Sequence, residues 1–288
     1  MKSGACGRQG RGRAHACAAV LVLFAALLSA PGAARAQVAV DELEMHFQLA
    51  PGRGPLTQVI PVRNEQDKVQ QVRVVLNDWQ RDTLGRNEFL PVGATAGTCR
   101  DRVKVFPMTF QVAPGAVEYV RVTFDGGGDL AGCWSIVLFE SVQPPPPRNE
   151  QQGSFLSIEI RTGVKVYVHP AAPVRAGEIA FADVVEAWIP KEVPAGAKRD
   201  SVKVWQADVR FTSAGNEHLK LKTTIEIRDV DGLLLQKVSA PEALITPNAV
   251  RDQRITLPTL AKGDYVALVM VDFGGDEITA AQVEFKVP

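Results

Sequence analysis

The sequence predicts an all-β protein folded as two sandwiches in tandem. Short runs rich in Val, Ile, Phe and Tyr recur along the chain, and clusters of Gly, Pro, Asn and Asp separate them. No stretch holds a helical apolar period for three turns.

Residues Met1 to Ala36 form a segment apart. Lys2, Arg8, Arg11 and Arg13 precede an apolar run from Ala18 to Leu28, and Pro31 leads to a small-residue Ala34-Arg35-Ala36 ending. This is the pattern of a secretory signal peptide cut after Ala36. The apolar run falls short of the roughly 20 residues that span a bilayer, and no later segment is apolar for that length. The mature chain is therefore expected to be exported without inserting in the membrane; the competing reading is a retained N-terminal anchor. The segment carries five basic and no acidic residues, so the zero formal charge of the whole chain hides a balance of 27 basic against 32 acidic beyond it. No basic stripe that would track phosphates is left, which argues against a nucleic-acid partner.

Seven strands are expected in the first half, near 42–48, 56–63, 70–80, 103–110, 116–124, 134–142 and 156–168. Seven strands with turn signals between them suit one immunoglobulin-like sandwich. Between the fourth and fifth, Pro114-Gly115 marks a turn, after which Glu118 to Phe124 alternates polar with apolar, so one face of that strand is buried and the other wet. Gln143 to Gly153 contains four consecutive prolines and is expected to be a loop. The better boundary is His169-Pro170-Ala171-Ala172-Pro173, which gives domains of 37–169 and 170–288. The second half repeats the style, with strands expected near 201–212, 219–228, 233–238, 254–257, 264–273 and 279–286. Turns are expected at Ser213-Ala214-Gly215-Asn216 and Asp229-Val230-Asp231-Gly232.

Cys6 and Cys17 leave with the first segment, so Cys99 and Cys133 are the only thiols of the mature chain. In an oxidising compartment they are expected to form a disulfide, with two buried free thiols as the alternative. Their spacing and number exclude a CxxC redox site and a four-cysteine zinc site. Signs of catalysis are lacking. His46, His169 and His218 lie far apart in sequence, no HExxH or GxSxG motif occurs, and Gly126-Gly127-Gly128 lacks the lysine and helix of a phosphate loop. Asp229 and Asp231 lack the further ligands of a calcium loop. These observations predict a non-enzymatic protein without metal or cofactor.

The unusual feature is the strand after the proline-rich segment. Leu156, Ile158, Ile160, Thr162, Val164, Val166 and Val168 keep one two-residue period over 13 residues. At about 3.3 Å per residue that is roughly 40 Å, far longer than an ordinary strand. Val164 to Val168 are expected in the core, and Leu156, Ile158 and Ile160 on an extended apolar edge. Such an edge is an aggregation hazard unless a partner covers it. Either a loop or the second domain covers it, or a client strand adds to it.

Here the sequence resembles the periplasmic pilus-assembly chaperone family, two immunoglobulin-like domains that hold pilin subunits by donating a strand. Asn77-Asp78-Trp79 is similar to the family's tryptophan-containing third strand. Phe106-Pro107, Pro114-Gly115 and Val120-Arg121-Val122 are similar to its proline, Pro-Gly and Val-Arg stretch. Gly163-Val164-Lys165-Val166-Tyr167-Val168-His169-Pro170 resembles its last first-domain strand. The turns around Thr212 to His218, Asp231-Gly232 and Gly263-Asp264-Tyr265 look like the second domain of chaperone-like relatives. The resemblance implies a periplasmic location, a pilin-like or surface-assembled protein client, a client-carboxylate role for Lys165 and a donor role for Leu156, Ile158 and Ile160. Two positions depart from the family. Its second cleft anchor, an arginine, falls near Glu44, and His169 replaces the arginine before the proline. The alternative function is a cell-envelope structural or adhesion module.

Overall fold

A computed structural model describes residues 38–126, 131–142, 160–191, 198 and 200–288, and every regular element among them is a strand. The 1–36 segment, the proline-rich stretch, Leu156 and Ile158 lie outside the described residues.

The first sandwich is built from β1 (Val38–Val40), β2 (Glu44–Gln48), β3 (Leu56–Asn64), β4 (Gln70–Arg81), β5 (Asn87–Leu90), β6 (Val103–Phe106), β7 (Thr109–Val112), β8 (Val117–Phe124), β9 (Cys133–Ser141) and β10 (Arg161–His169). One sheet runs β1-β3-β8-β6; the facing sheet runs β2-β10-β9-β4-β5, with β7 added on β4. The second sandwich holds β11 (Gly177–Pro190), β12 (Ser201–Ser213), β13 (Leu219–Asp229), β14 (Leu234–Ser239), β15 (Ala243–Ile245), β16 (Val250–Thr256), β17 (Gly263–Asp272) and β18 (Ile278–Val287). Its sheets run β11-β12-β16 and β14-β13-β17-β18, with β15 against β13. The chain is thus all-β, two immunoglobulin-like sandwiches in tandem.

Period-two patterning explains the cores. In β13, Leu219, Leu221, Ile225 and Ile227 face inward while Lys220 and Lys222 face water, and in β8 Val120, Val122 and Phe124 are buried while Tyr119 and Arg121 are exposed. Val164, Val166 and Val168 enter the first core as their alternation predicts, packing with Phe47, Val137 and Phe139. Each such side chain contributes about 1.5–3 kcal/mol by leaving water.

Several elements differ from the expectation: β5, β11 and β15 answer to no expected strand, and two expected strands are divided. The single strand near 103–110 is two: β6 pairs with β8 in one sheet and β7 with β4 in the other. Pro107 has no N–H to continue a ladder, so the chain changes sheets there. β11 is long, but its apolar residues are diluted by Ala and Glu, and a register shift between Ile179 and Phe181 breaks its period. The first strand is also divided: β1 pairs with β3 antiparallel, and after Asp41–Leu43 the chain crosses to the other sheet, where β2 pairs with β10 in parallel.

Beyond the two central cores, the outer face of the β2-β10-β9-β4-β5 sheet carries a third cluster of Trp79, Ile136, Leu138 and Tyr167, with Trp134 beside it. In β9 the run Ile136-Val137-Leu138-Phe139 is buried on both faces, Val137 and Phe139 inward, Ile136 and Leu138 outward. Next to it, Cys99 and Cys133 form a disulfide with a Cα–Cα distance of 5.2 Å. The fully buried Asp78 carboxylate organises the loop leading to Cys99. It accepts hydrogen bonds from the N–H groups of Gly93 (3.0 Å) and Thr95 (2.9 Å) and from the hydroxyls of Thr95 (3.1 Å) and Thr98 (2.7 Å).

Candidate functional site

The strand that carries the expected site, β10, has two unequal ladders. Against β9 it is paired antiparallel from Arg161 to Val168; against β2 it is paired in parallel only from Lys165, opposite Glu44, to His169. The N–H of Lys165 donates to the Leu43 carbonyl at 2.9 Å. Alternation along a strand turns the backbone polar groups of Gly163 toward the same side, where no strand pairs with Thr162–Val164 among the described residues. Ile160, just before β10, is 39% exposed.

The outward positions of β10 build the site. Gly163 presents no side chain, Lys165 is half-buried, Tyr167 is buried and His169 ends the strand. The Lys165 ammonium sits 4.5 Å from the centroid of the Trp79 ring, a cation–π contact. Burial lowers its pKa first, the Arg81 charge adds to that, and Glu44 opposes both. Arg81 shares the same indole, its guanidinium carbon 5.8 Å from the centroid, and donates to the Gly85 carbonyl at 3.4 Å. Glu44 accepts the Tyr167 hydroxyl at 3.3 Å. Burial, followed by the Glu44 charge, holds the Tyr167 phenol well above its ordinary pKa.

Sequence distance hid a second group, because the three histidines of residues 38–288 converge beside Tyr167. His46 stacks on Tyr167 with centroids 5.0 Å apart, and its Nδ1 lies 2.9 Å from His169 Nε2. Nδ1 of His169 meets Glu217 Oε1 of the second sandwich at 2.8 Å. Burial alone would raise the Glu217 pKa, but the hydrogen bond and charge of His169, with the His218 N–H, bring it below its ordinary value. His46 is lowered by burial first and by His169 second. His218 fills an aromatic box, edge-on to Trp134 and Tyr167 at 4.8 Å each and stacked over Trp79 at 6.3 Å. Its Nε2 is enclosed without a hydrogen-bond partner, and burial drops its pKa to about 3. A neutral ring that packs as an aromatic is the result. The separation of the histidines was a poor guide, since β2, β10 and the β12–β13 connection meet only in three dimensions. The unbroken apolar run of β9 is the signal that this face is covered.

Among the described residues no group of three or more His, Cys, Asp or Glu side chains is placed to hold a metal ion. A cleft of about 390 Å³ opens on the outer face beside Gly163 and Lys165 and reaches to Phe89 of β5. Leu156 and Ile158, which the resemblance groups with these residues, lie outside the described residues.

No family model matches the chain, and no curated protein matches it. Solved structures do. The crystal structure of the class 5 fimbriae chaperone CfaA is 13% identical over 87% of this chain and 99% of that one, with a TM-score of 0.48. The E. coli chaperone DraB is 14% identical over 87% of this chain and 96% of that one, with a TM-score of 0.41. The CsuC–CsuE chaperone–tip adhesion subunit complex from the archaic chaperone-usher Csu pili of Acinetobacter baumannii gives 10% identity, 86% and 98% coverage and a TM-score of 0.42.

Proposed function

We propose that this chain is an exported, periplasmic chaperone-like protein of two domains, 37–169 and 170–288. In this reading it holds an extended segment of a secreted or surface-assembled subunit by strand addition to β10, with no cofactor and no covalent chemistry. The observation that carries it is the mismatch between the two ladders of β10, which begins at Arg161 on the β9 side and only at Lys165 on the β2 side. A polypeptide strand laid on that side meets backbone groups set for pairing, and Ile160 is exposed just before them. Lys165 stands where the open side ends, so its ammonium takes the carboxylate of a client whose chain finishes there. Glu44 faces it across the ladder but is engaged by Tyr167. Arg81, on the same indole as Lys165, supplies a second positive charge in place of an arginine on β2.

The test begins with identification of the polypeptide that co-purifies from the periplasm, followed by titration of that client against the protein. Lys165→Glu is expected to weaken binding by about ten- to a hundredfold, the worth of one charge-assisted hydrogen bond, without unfolding the protein. Equal affinities for the wild type and the variant would remove Lys165 from the site. Ile158→Ser separates edge from core: strong loss of capture with little loss of stability supports the reading, and a stability loss of about 2–5 kcal/mol contradicts it.

A further inference from the structure

We infer that the cleft beside Gly163 is a selectivity pocket for the last residue of the client, one that accepts a large apolar side chain while the terminal carboxylate rests on Lys165. The inference rests on strand addition to β10 and adds to it the chemical class of the client's end.

The outward side chains of β10 form a wall along the sheet, Arg161, Lys165 and Tyr167, broken at one position. At Gly163 an added Cβ would come within 2.7 Å of Ile136 Cδ1 and 3.0 Å of Leu138 Cδ2. The Ile136 and Leu138 side chains therefore lean over the space a side chain would take, so at this one position the cleft is floored by apolar groups of the buried outer cluster and not by a β10 side chain. A glycine inside a strand weakens it and marks places where another chain approaches closely. Leu43 and Phe89 supply apolar walls on opposite sides of the cleft, and both are exposed, at 61% and 53%. The polar lining groups are the Asn77 and Asn87 amides, the Lys165 ammonium, the Glu44 carboxylate and the Arg161 guanidinium, which pairs with Glu140. A residue placed opposite Gly163 on an added strand lays its side chain over Gly163 onto Ile136 and Leu138. Its own carboxylate then reaches the next outward position, Lys165. A side chain laid on Ile136 and Leu138 loses its water, so the floor favours an aliphatic residue over Asp or Glu, while the carboxylate at the chain end meets Lys165.

The probes are fluorescein-labelled ten-residue peptides of alternating Val and Thr, ending in Leu with a free carboxylate, in Asp with a free carboxylate, or in Leu amide. They are titrated by anisotropy against the purified protein. The Leu acid is expected to bind at least about tenfold more tightly than either of the others, as burial of one aliphatic side chain or loss of one charge-assisted contact implies. Gly163→Val drives a side chain against Ile136 and Leu138 and covers that apolar floor, and thermal melting verifies its fold. It should erase the preference for Leu over Asp. Phe89→Ser, at an exposed wall, should weaken the Leu acid alone. Equal binding of all three peptides overturns the pocket and leaves strand addition standing. So does a Gly163→Val effect that is the same for the Leu and Asp acids, or a Phe89→Ser protein indistinguishable from wild type. Absence of binding by every peptide overturns the pocket and strand addition together.

Discussion

Acidification from pH 6.5 to about 3 is expected to cost the folded protein roughly 4 kcal/mol through His218 alone. The ring is enclosed by Trp79, Trp134 and Tyr167, and burial is the main reason it stays neutral; the charges of His169, Arg81 and His46 add to this, while Glu217 works against it. Because the folded pKa lies below the unfolded one, the unfolded chain takes up a proton below pH 6.5 that the folded state refuses. Stability then falls with falling pH by about 1.4 kcal/mol per unit until the folded pKa is reached. His218→Phe keeps an aromatic ring in the box and cannot titrate, so urea midpoints of the two proteins should diverge progressively between pH 6.5 and 4. The His169–Glu217 pair remains in both, and its own acid dependence cancels in the comparison. Parallel pH profiles would show that His218 is not held neutral.

Loss of the Cys99–Cys133 bond is expected to have a comparable effect. The cysteines are 34 residues apart, and on the chain-entropy account closing a loop of that length stabilises by about 4 kcal/mol. Both are buried in the first core beside the Asp78-organised loop, and the Cys99 N–H donates to the Ser135 hydroxyl at 3.1 Å. The Cys99→Ala/Cys133→Ala protein should unfold at a distinctly lower guanidinium concentration, followed through the fluorescence of Trp79 and Trp134. Equal midpoints for the oxidised wild type and the double variant would contradict the expectation.

The parts of this fold that sequence made legible are those in which one local signal decides. The alternation of Val164, Val166 and Val168 placed them in the core, and two cysteines in an expected oxidising setting pointed to one bridge. The Asp229-to-Gly232 turn was likewise marked by its residues, and the structure ends β13 there. What escaped required two distant segments at once. Glu44 stands opposite Lys165 across a parallel ladder that the sequence does not advertise, and His46, His169 and His218 come from three segments that meet only after the sandwiches form. β11 escaped for a local reason, its interrupted period. The 156–168 alternation describes β10 from Arg161 onward, but periodicity fixes which face a residue takes and not which neighbour covers it.

The division of the first strand bears on the order of assembly. β2 joins residues 44–48 to 165–169, whereas β9 and β10 are neighbours in the chain among the described strands. Closing so long a loop costs entropy that a short ladder repays late, so β2 is expected to dock after the other strands of its sheet have assembled. Before that moment β10 presents its whole length without a cover on that side. In pulse-labelled hydrogen exchange during refolding, the Lys165 amide, which donates to Leu43, should gain protection after the amides of Val164 and Val166 that face β9. Simultaneous protection would place β2 in the folding nucleus instead.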